Sequence, residues 1–160
     1  MKNFVKIVIS LCILLVALLM PVTSIFATGG TVEEKPYPPT ITKEAYPTHN
    51  VRAGDRITYT ITVHNPHAEY DYHEHKVVDR FPVQHIAPDL STLRVYQNGV
   101  RLTEGMAATD GYLLFPERLA DDDELALLIW KMPPGSYTVI TFEAVVQPGV
   151  TCSTTIVNNA

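Results

Sequence analysis

Seven consecutive residues, Ile57–Val63 (ITYTITV), alternate strictly between large apolar side chains and threonine. Ile57, Tyr59, Ile61 and Val63 fall on one side, and Thr58, Thr60 and Thr62 on the other. A period of two does not suit a helix, whose faces repeat every three or four residues. Six of the seven positions are β-branched and the other is aromatic, so local propensity agrees. A strand with one apolar and one polar face points to an antiparallel sheet with a dry side and a wet side.

The rest of the chain repeats the theme with shorter pieces. Thr40–Glu44 reads as a first strand, and Val51–Arg56 as a turn through Gly54-Asp55. A polar segment, Asn65–Glu74, leads to a strand at His75–Asp79. Leu93–Gln97 and Val100–Thr103 flank Asn98-Gly99, the dipeptide favoured in a type I′ hairpin because both central residues take positive φ. Gly111–Phe115 is a further short strand, and Ala120–Glu124 an acidic turn. Leu125–Trp130 is apolar on both faces, a strand with a helical turn as the competing reading, and Pro133-Pro134-Gly135 ends it. Tyr137–Gln147 is a long strand and Thr154–Asn159 the last. Seven to nine strands, no convincing amphipathic helix and no internal repeat predict an all-β fold. The expected form is an immunoglobulin-like antiparallel β-sandwich over residues 40–160, with a closed barrel as the alternative.

A different kind of segment precedes this. Lys2 and Lys6 form a positive start, Ile7–Met20 is apolar apart from Ser10, and Pro21 with small residues follows. That is the three-part pattern of a secretory signal peptide, residues 1–27, with cleavage expected after Ala27 and Ser24 as the competing site. Its apolar run falls short of the ~20 residues that a permanent bilayer-spanning helix needs, the alternative being an uncleaved anchor. Cys12 does not suit a lipoprotein, because Leu11 stands where a small residue belongs and Cys12 lies inside the apolar run. Residues 28–39 (TGGTVEEKPYPP) read as an exposed linker.

Export changes the charge and cysteine arithmetic. The whole chain carries −5, but without residues 1–27 ten basic residues face seventeen acidic ones, giving −7. An acidic surface excludes a nucleic-acid partner of the ordinary kind, which needs a basic stripe. Only Cys152 remains, so no internal disulfide forms, and stability outside the cell must come from packing or another cross-link.

Few patterns carry chemistry. His64, His67, Asp71, His73, Glu74 and His75 cluster, and on a strand His73 and His75 share a face as a two-histidine metal clip. The spacing matches no named metal motif, and no third ligand is fixed by sequence, so an exposed polar loop joining two strands is the favoured reading. Asp121–Glu124 lacks the spaced oxygens and glycine of a calcium loop and reads as a solvated turn. Cys152 has no neighbouring histidine, Ser136 and Ser153 match no nucleophile elbow, and no glycine loop cradles phosphate. Tyr70 and Tyr72 are the obvious aromatic candidates for a glycan platform. No cofactor is implied.

Several phrases occur together in order. They are Ala53-Gly54-Asp55-Arg56-Ile57-Thr58-Tyr59-Thr60-Ile61, then Val77-Val78-Asp79-Arg80-Phe81-Pro82, then Trp130, then Pro134-Gly135-Ser136 leading to Thr141-Phe142-Glu143-Ala144, with Asn158-Asn159-Ala160 at the close. In these the chain resembles the bacterial surface repeat called domain of unknown function eleven and the related isopeptide-forming fimbrial and adhesin domains. The resemblance implies a sandwich built into stalks or envelope proteins, with a buried Trp130 filling the space between sheets. It also implies, for some members, a lysine–asparagine isopeptide bond between first and last strands. The matching residues are Lys43 and Asn158, with Asp79 as the first candidate for the assisting acid and Glu143 as the second. That chemistry needs a neutral amine and a protonated carboxyl, both of which burial favours. Without a bond, Lys43 is a solvated edge lysine, Asn158 a strand-end residue, Asp79 a cap and Glu143 an outward residue.

The expected function is therefore that of a non-catalytic, exported structural or adhesion module of a bacterial cell surface or envelope. Its partner is an unspecified surface component, and no membrane span remains after removal of the signal. A secreted metal-binding protein using His64–His75, or a glycan-binding accessory domain, is the alternative. The chain shows no sorting signal and stops at Ala160, which reads as a one-domain member or a truncated array.

Overall fold

The described residues form nine strands and a short helix. They run in the order β1 (Thr40–Tyr46), β2 (Arg56–His64), β3 (Tyr72–Arg80), β4 (Ile86–Gln97), β5 (Val100–Arg101), β6 (Thr103–Glu104), β7 (Gly111–Leu114), α1 (Pro116–Asp122), β8 (Glu124–Met132) and β9 (Tyr137–Val146). The computed structural model describes residues 37–105, 111–151 and 154–158, all within one compact unit, Pro36–Ala160. The expected signal peptide, residues 1–27, most of the expected linker, Cys152, Ser153 and Asn159 lie outside the described residues. Among the described residues no helix is long and apolar enough to cross a membrane.

The strands form two sheets, one ordered β1-β2-β9-β4-β5 and the other β3-β8-β7-β6. Two separate sheets make a sandwich and dispose of the barrel. β2 behaves as its alternation dictates: Ile57, Tyr59, Ile61 and Val63 are buried, and the threonines between them are not. Ile140, Phe142, Ala144 and Val146 of β9 continue the same inner face. The second sheet answers with Val77, Leu125, Leu127 and Ile129. Aromatic rings fill the space between, with Phe142 stacked on Tyr59 at 5.4 Å and meeting Phe81 edge-on at 5.5 Å. The hairpin has both expected positive angles, φ 48° at Asn98 and 81° at Gly99.

The structure corrects the sequence reading in five places. Trp130 is half-buried and does not fill the inter-sheet space; its Nε1 donates to the Gly105 carbonyl. Pairing with β3 sets the phase of β8, placing Leu125, Leu127 and Ile129 opposite Asp79, Val77 and His75 and turning Trp130 the other way. A run apolar on both faces carries no phase of its own. The acidic stretch is partly helical: Pro116 at the first position, Glu117 in the first turn and an Arg118–Asp122 pair at 2.6 Å favour α1, and Asp123 closes it in the left-handed region at φ 57°. β4 starts at Ile86, before Pro88, and keeps pairing with β9 across an irregularity between Asp89 and Arg94. β6 and β7 pair in parallel, because alternation does not encode strand direction.

The fifth correction concerns the C-terminal segment. Residues 154–158 join no ladder despite their β-branched composition. Backbone hydrogen bonds from Val150 N to the Gln147 carbonyl and from Thr154 N to the Thr151 carbonyl precede the segment, and side chains hold it: Ile156 packs against the core and Asn158 reaches Asp79.

Candidate functional site

Lys43 lies opposite Ile61 in the β1–β2 ladder, so its side chain shares the inner face with that core isoleucine. Asp79 lies opposite Leu125 in the β3–β8 ladder and is fully buried. The two side chains approach from opposite sheets, and Lys43 Nζ donates to Asp79 Oδ1 at 2.5 Å. The amine also stands 4.9 Å from the centre of the Tyr59 ring and 5.7 Å from that of Phe81. Asn158 completes the group, its Nδ2 lying 3.5 Å from Asp79 Oδ2. Asn158 Oδ1 is buried without a hydrogen bond of its own.

Burial governs the protonation of this group. It draws the Lys43 amine below its ordinary value, outweighing the hydrogen bond and charge of Asp79, which act upward. Burial raises the Asp79 carboxyl, outweighing the opposing effects of Lys43 and Asn158. An ion pair in water shifts both groups toward their charged forms; here both move toward neutrality. Tyr59 is raised by burial and by the Asp79 charge, while a hydrogen bond with the Asn158 side chain acts the other way. The Asn158 amide thus sits between a carboxyl and a phenol.

The other candidates lie elsewhere. Glu143 is on the outer face of β9, where it accepts from Arg56 Nη1 at 2.7 Å, and Arg56 also reaches Asp89 at 3.1 Å. The structure does not bring Glu143 to Lys43, because β9 alternates and Phe142 and Ala144 take the inward positions. The histidines are dispersed into ring contacts: His64 stacks on Tyr137 at 4.1 Å, His67 meets Tyr70 at 4.4 Å and His75 stacks on Tyr72 at 5.2 Å. His73 stands 4.0 Å from Asp71, which Lys131 approaches more closely at 3.1 Å. Glu74, between His73 and His75, has φ 54°, interrupting the alternation that the two-histidine clip assumes. Among the described residues no group of three or more His, Cys, Asp or Glu side chains is placed to hold a metal ion. Of the proposed aromatic platform, Tyr70 is exposed, whereas the Tyr72 hydroxyl is buried.

Two features were not read from the sequence. Tyr59 and Phe81 carry only a core signal there, yet they wall the Lys43 amine. Glu124 accepts from Arg80 Nε and Arg118 Nη2, both at 2.5 Å. It has almost no accessible surface because two guanidinium groups cover it, not because it lies deep: the Arg80 side chain is 80% exposed. Spacing alone does not reveal the walls of the Lys43 site or the Arg80–Glu124 contact, since each joins distant segments.

Fold and site together define an immunoglobulin-like β-sandwich in which a part-buried Lys–Asp–Asn group, centred on the buried Asp79, lies between the sheets. No family model matches the chain, so the domain of unknown function eleven is not confirmed, and no curated protein matches it. Among solved structures, the pilus backbone protein RrgB of Streptococcus pneumoniae is similar at TM-score 0.50 and 19% identity, over 72% of this chain and 48% of that one. The Corynebacterium diphtheriae major pilin SpaA, whose structure points to a modular pilus assembly with stabilising isopeptide bonds, gives TM-score 0.48 and 17% identity over 69% and 28% of the two chains. The chain therefore spans about half the length of the RrgB structure. At these identities the likeness is one of fold.

Proposed function

We propose that the chain is a non-catalytic structural module, exported by way of residues 1–27 and displayed on a bacterial surface in a pilus-type or adhesive assembly. We propose further that Lys43 and Asn158 become joined by an isopeptide bond, with Asp79 moving the proton. One observation carries this reading: a lysine and an aspartate from opposite sheets meet at 2.5 Å in a site where burial favours the neutral form of each, with an asparagine amide beside them. The likeness of fold to a pilus backbone protein supports the structural role.

The reaction balances within the three residues. The neutral Nζ attacks Cγ of Asn158, and the Nζ–Cγ bond forms as the carbonyl opens to a tetrahedral centre. Asp79 takes a proton from Nζ and supplies one to Nδ2. The Cγ–Nδ2 bond then breaks and ammonia leaves, so Asp79 ends as it began. A staple between the two ends of the domain suits a chain that keeps one cysteine after export and bears load.

Intact-mass measurement on the folded chain tests it. The expected mass is one ammonia below that of the processed sequence, with the deficit absent in Lys43→Ala, Asp79→Ala and Asn158→Ala. A wild-type mass equal to the unmodified chain overturns the reading.

A further inference from the structure

We infer that the Tyr59 hydroxyl is a second catalytic group of the cross-linking reaction, the donor that holds the Asn158 carbonyl oxygen as it becomes an oxyanion; this rests on the isopeptide reading above. The need for such a group follows from what one carboxyl can do. Asp79 must pass a proton from Nζ to Nδ2, and while doing so it does not also hold a hydrogen bond on Oδ1. Negative charge gathers on that oxygen in a site walled by aromatic rings. There a missing donor is costly and a fixed one effective.

Tyr59 is placed for this. It lies on the inner face of β2, opposite Ala45 of β1 and Phe142 of β9. It is 4% exposed, and its ring is held on one side by Phe142 at 5.4 Å and approached by Lys43 Nζ at 4.9 Å. The Asn158 side chain, the same amide that faces Asp79, lies within hydrogen-bonding reach of the Tyr59 hydroxyl. The amide presents Nδ2 to Asp79 and leaves Oδ1 buried and unbonded. A rotation of the amide that turns Oδ1 to the phenol while Nδ2 stays with Asp79 satisfies the orphaned acceptor and activates Cγ in one movement. Burial and the Asp79 charge keep the phenol protonated, so it remains a donor.

The test follows bond formation in time. The full chain is collected unfolded from inclusion bodies and refolded by dilution, and intact mass is read at intervals. Tyr59→Phe keeps the ring and removes the hydroxyl, and it is expected to cross-link about ten- to a hundredfold more slowly than wild type. Equal rates in the two overturn the role of Tyr59 while leaving the isopeptide reading intact. A wild-type chain that never loses ammonia overturns that reading instead. In case the phenylalanine variant does not refold, 3,5-difluorotyrosine at position 59 keeps the shape and makes the phenol more acidic. The expected result is that its rate falls off at a lower pH than wild type; an unmoved profile overturns the inference.

Discussion

Lys43 and Asp79 belong to different sheets, yet their side chains meet at 2.5 Å with both nearly hidden from water, at 10% and 0% exposure. β1 and β3 are each at the edge of a sheet. The pair therefore closes one flank of the sandwich where no backbone hydrogen bond crosses between its members. Asn158 reaches the same point from the C-terminal segment. A covalent bond here would join the start of the domain to its end.

The bond is expected to stabilise the domain through the unfolded chain. Linking Lys43 to Asn158 closes a loop of nearly the whole domain, comparable to a long-loop disulfide at about 4–5 kcal/mol. Chemical denaturation of wild type against Asn158→Ala measures it. A difference under about 1 kcal/mol between a bonded and an unbonded chain contradicts the loop-closure account.

The buried carboxylate makes a pH-dependent prediction, best read in the Asn158→Ala background where no bond contributes. Replacing Lys43 by Met removes the hydrogen bond and charge that oppose the rise of Asp79, so its folded value climbs further. A carboxyl with a raised folded value favours the folded state at low pH and loses that advantage as pH rises from its unfolded value, about 3.9, through the folded one. Lys43→Met is thus expected to cost little in acid and about 3–5 kcal/mol at neutral pH. Adding Asp79→Asn is expected to recover most of the loss, as urea titrations at several pH values will show.

Glu124 shows the opposite sign. Arg80 and then Arg118 hold its carboxyl below the ordinary value, so its contribution is present above the unfolded value and lost as pH falls through the folded one. Glu124→Gln is expected to lower the melting temperature at pH 7 and to melt with wild type in strong acid. A gap that persists unchanged in acid contradicts the assignment.

Core packing separates two aromatic residues that look alike in the sequence. Phe142 is 1% exposed and touches both Tyr59 and Phe81, so Phe142→Ala is expected to cost about 3–5 kcal/mol. Trp130 is half-buried on the other face of its sheet, and Trp130→Ala is expected to cost markedly less. Equilibrium denaturation ranks them.

Export is checked by N-terminal sequencing of the protein released from a bacterial host. The expected first residue is Thr28, whereas Ile25 indicates cleavage after Ser24.

Much of the fold is local in origin, and that part is legible. The alternation of Ile57–Val63 selects a strand and also which side of it is dry; Asn98-Gly99 selects its hairpin. Where a segment has no such internal asymmetry, neighbours decide. Leu125–Trp130 is apolar throughout, so the β3 ladder chose which residues face in and turned Trp130 out. Pro116–Asp122 is short and weakly patterned, so its helix depends on packing against β8 and on the Arg118 contacts. Thr154–Asn158 has strand composition, but strand composition without a free partner edge in register makes no ladder.

The site divides along the same line. The kinds of residue that this chemistry needs stand in the sequence at Lys43, Asp79, Glu143 and Asn158, together with the strand order that suggests proximity. Which carboxylate faces the lysine is a matter of strand phase and sheet pairing, and these put Asp79 inside and Glu143 outside. The walls of the site, Tyr59 and Phe81, come from other segments, and the protonation that burial imposes exists only once the sheets have closed. Periodicity acts between neighbours a few residues apart and survives in the sequence; desolvation and long-range pairing act between segments that meet only on folding.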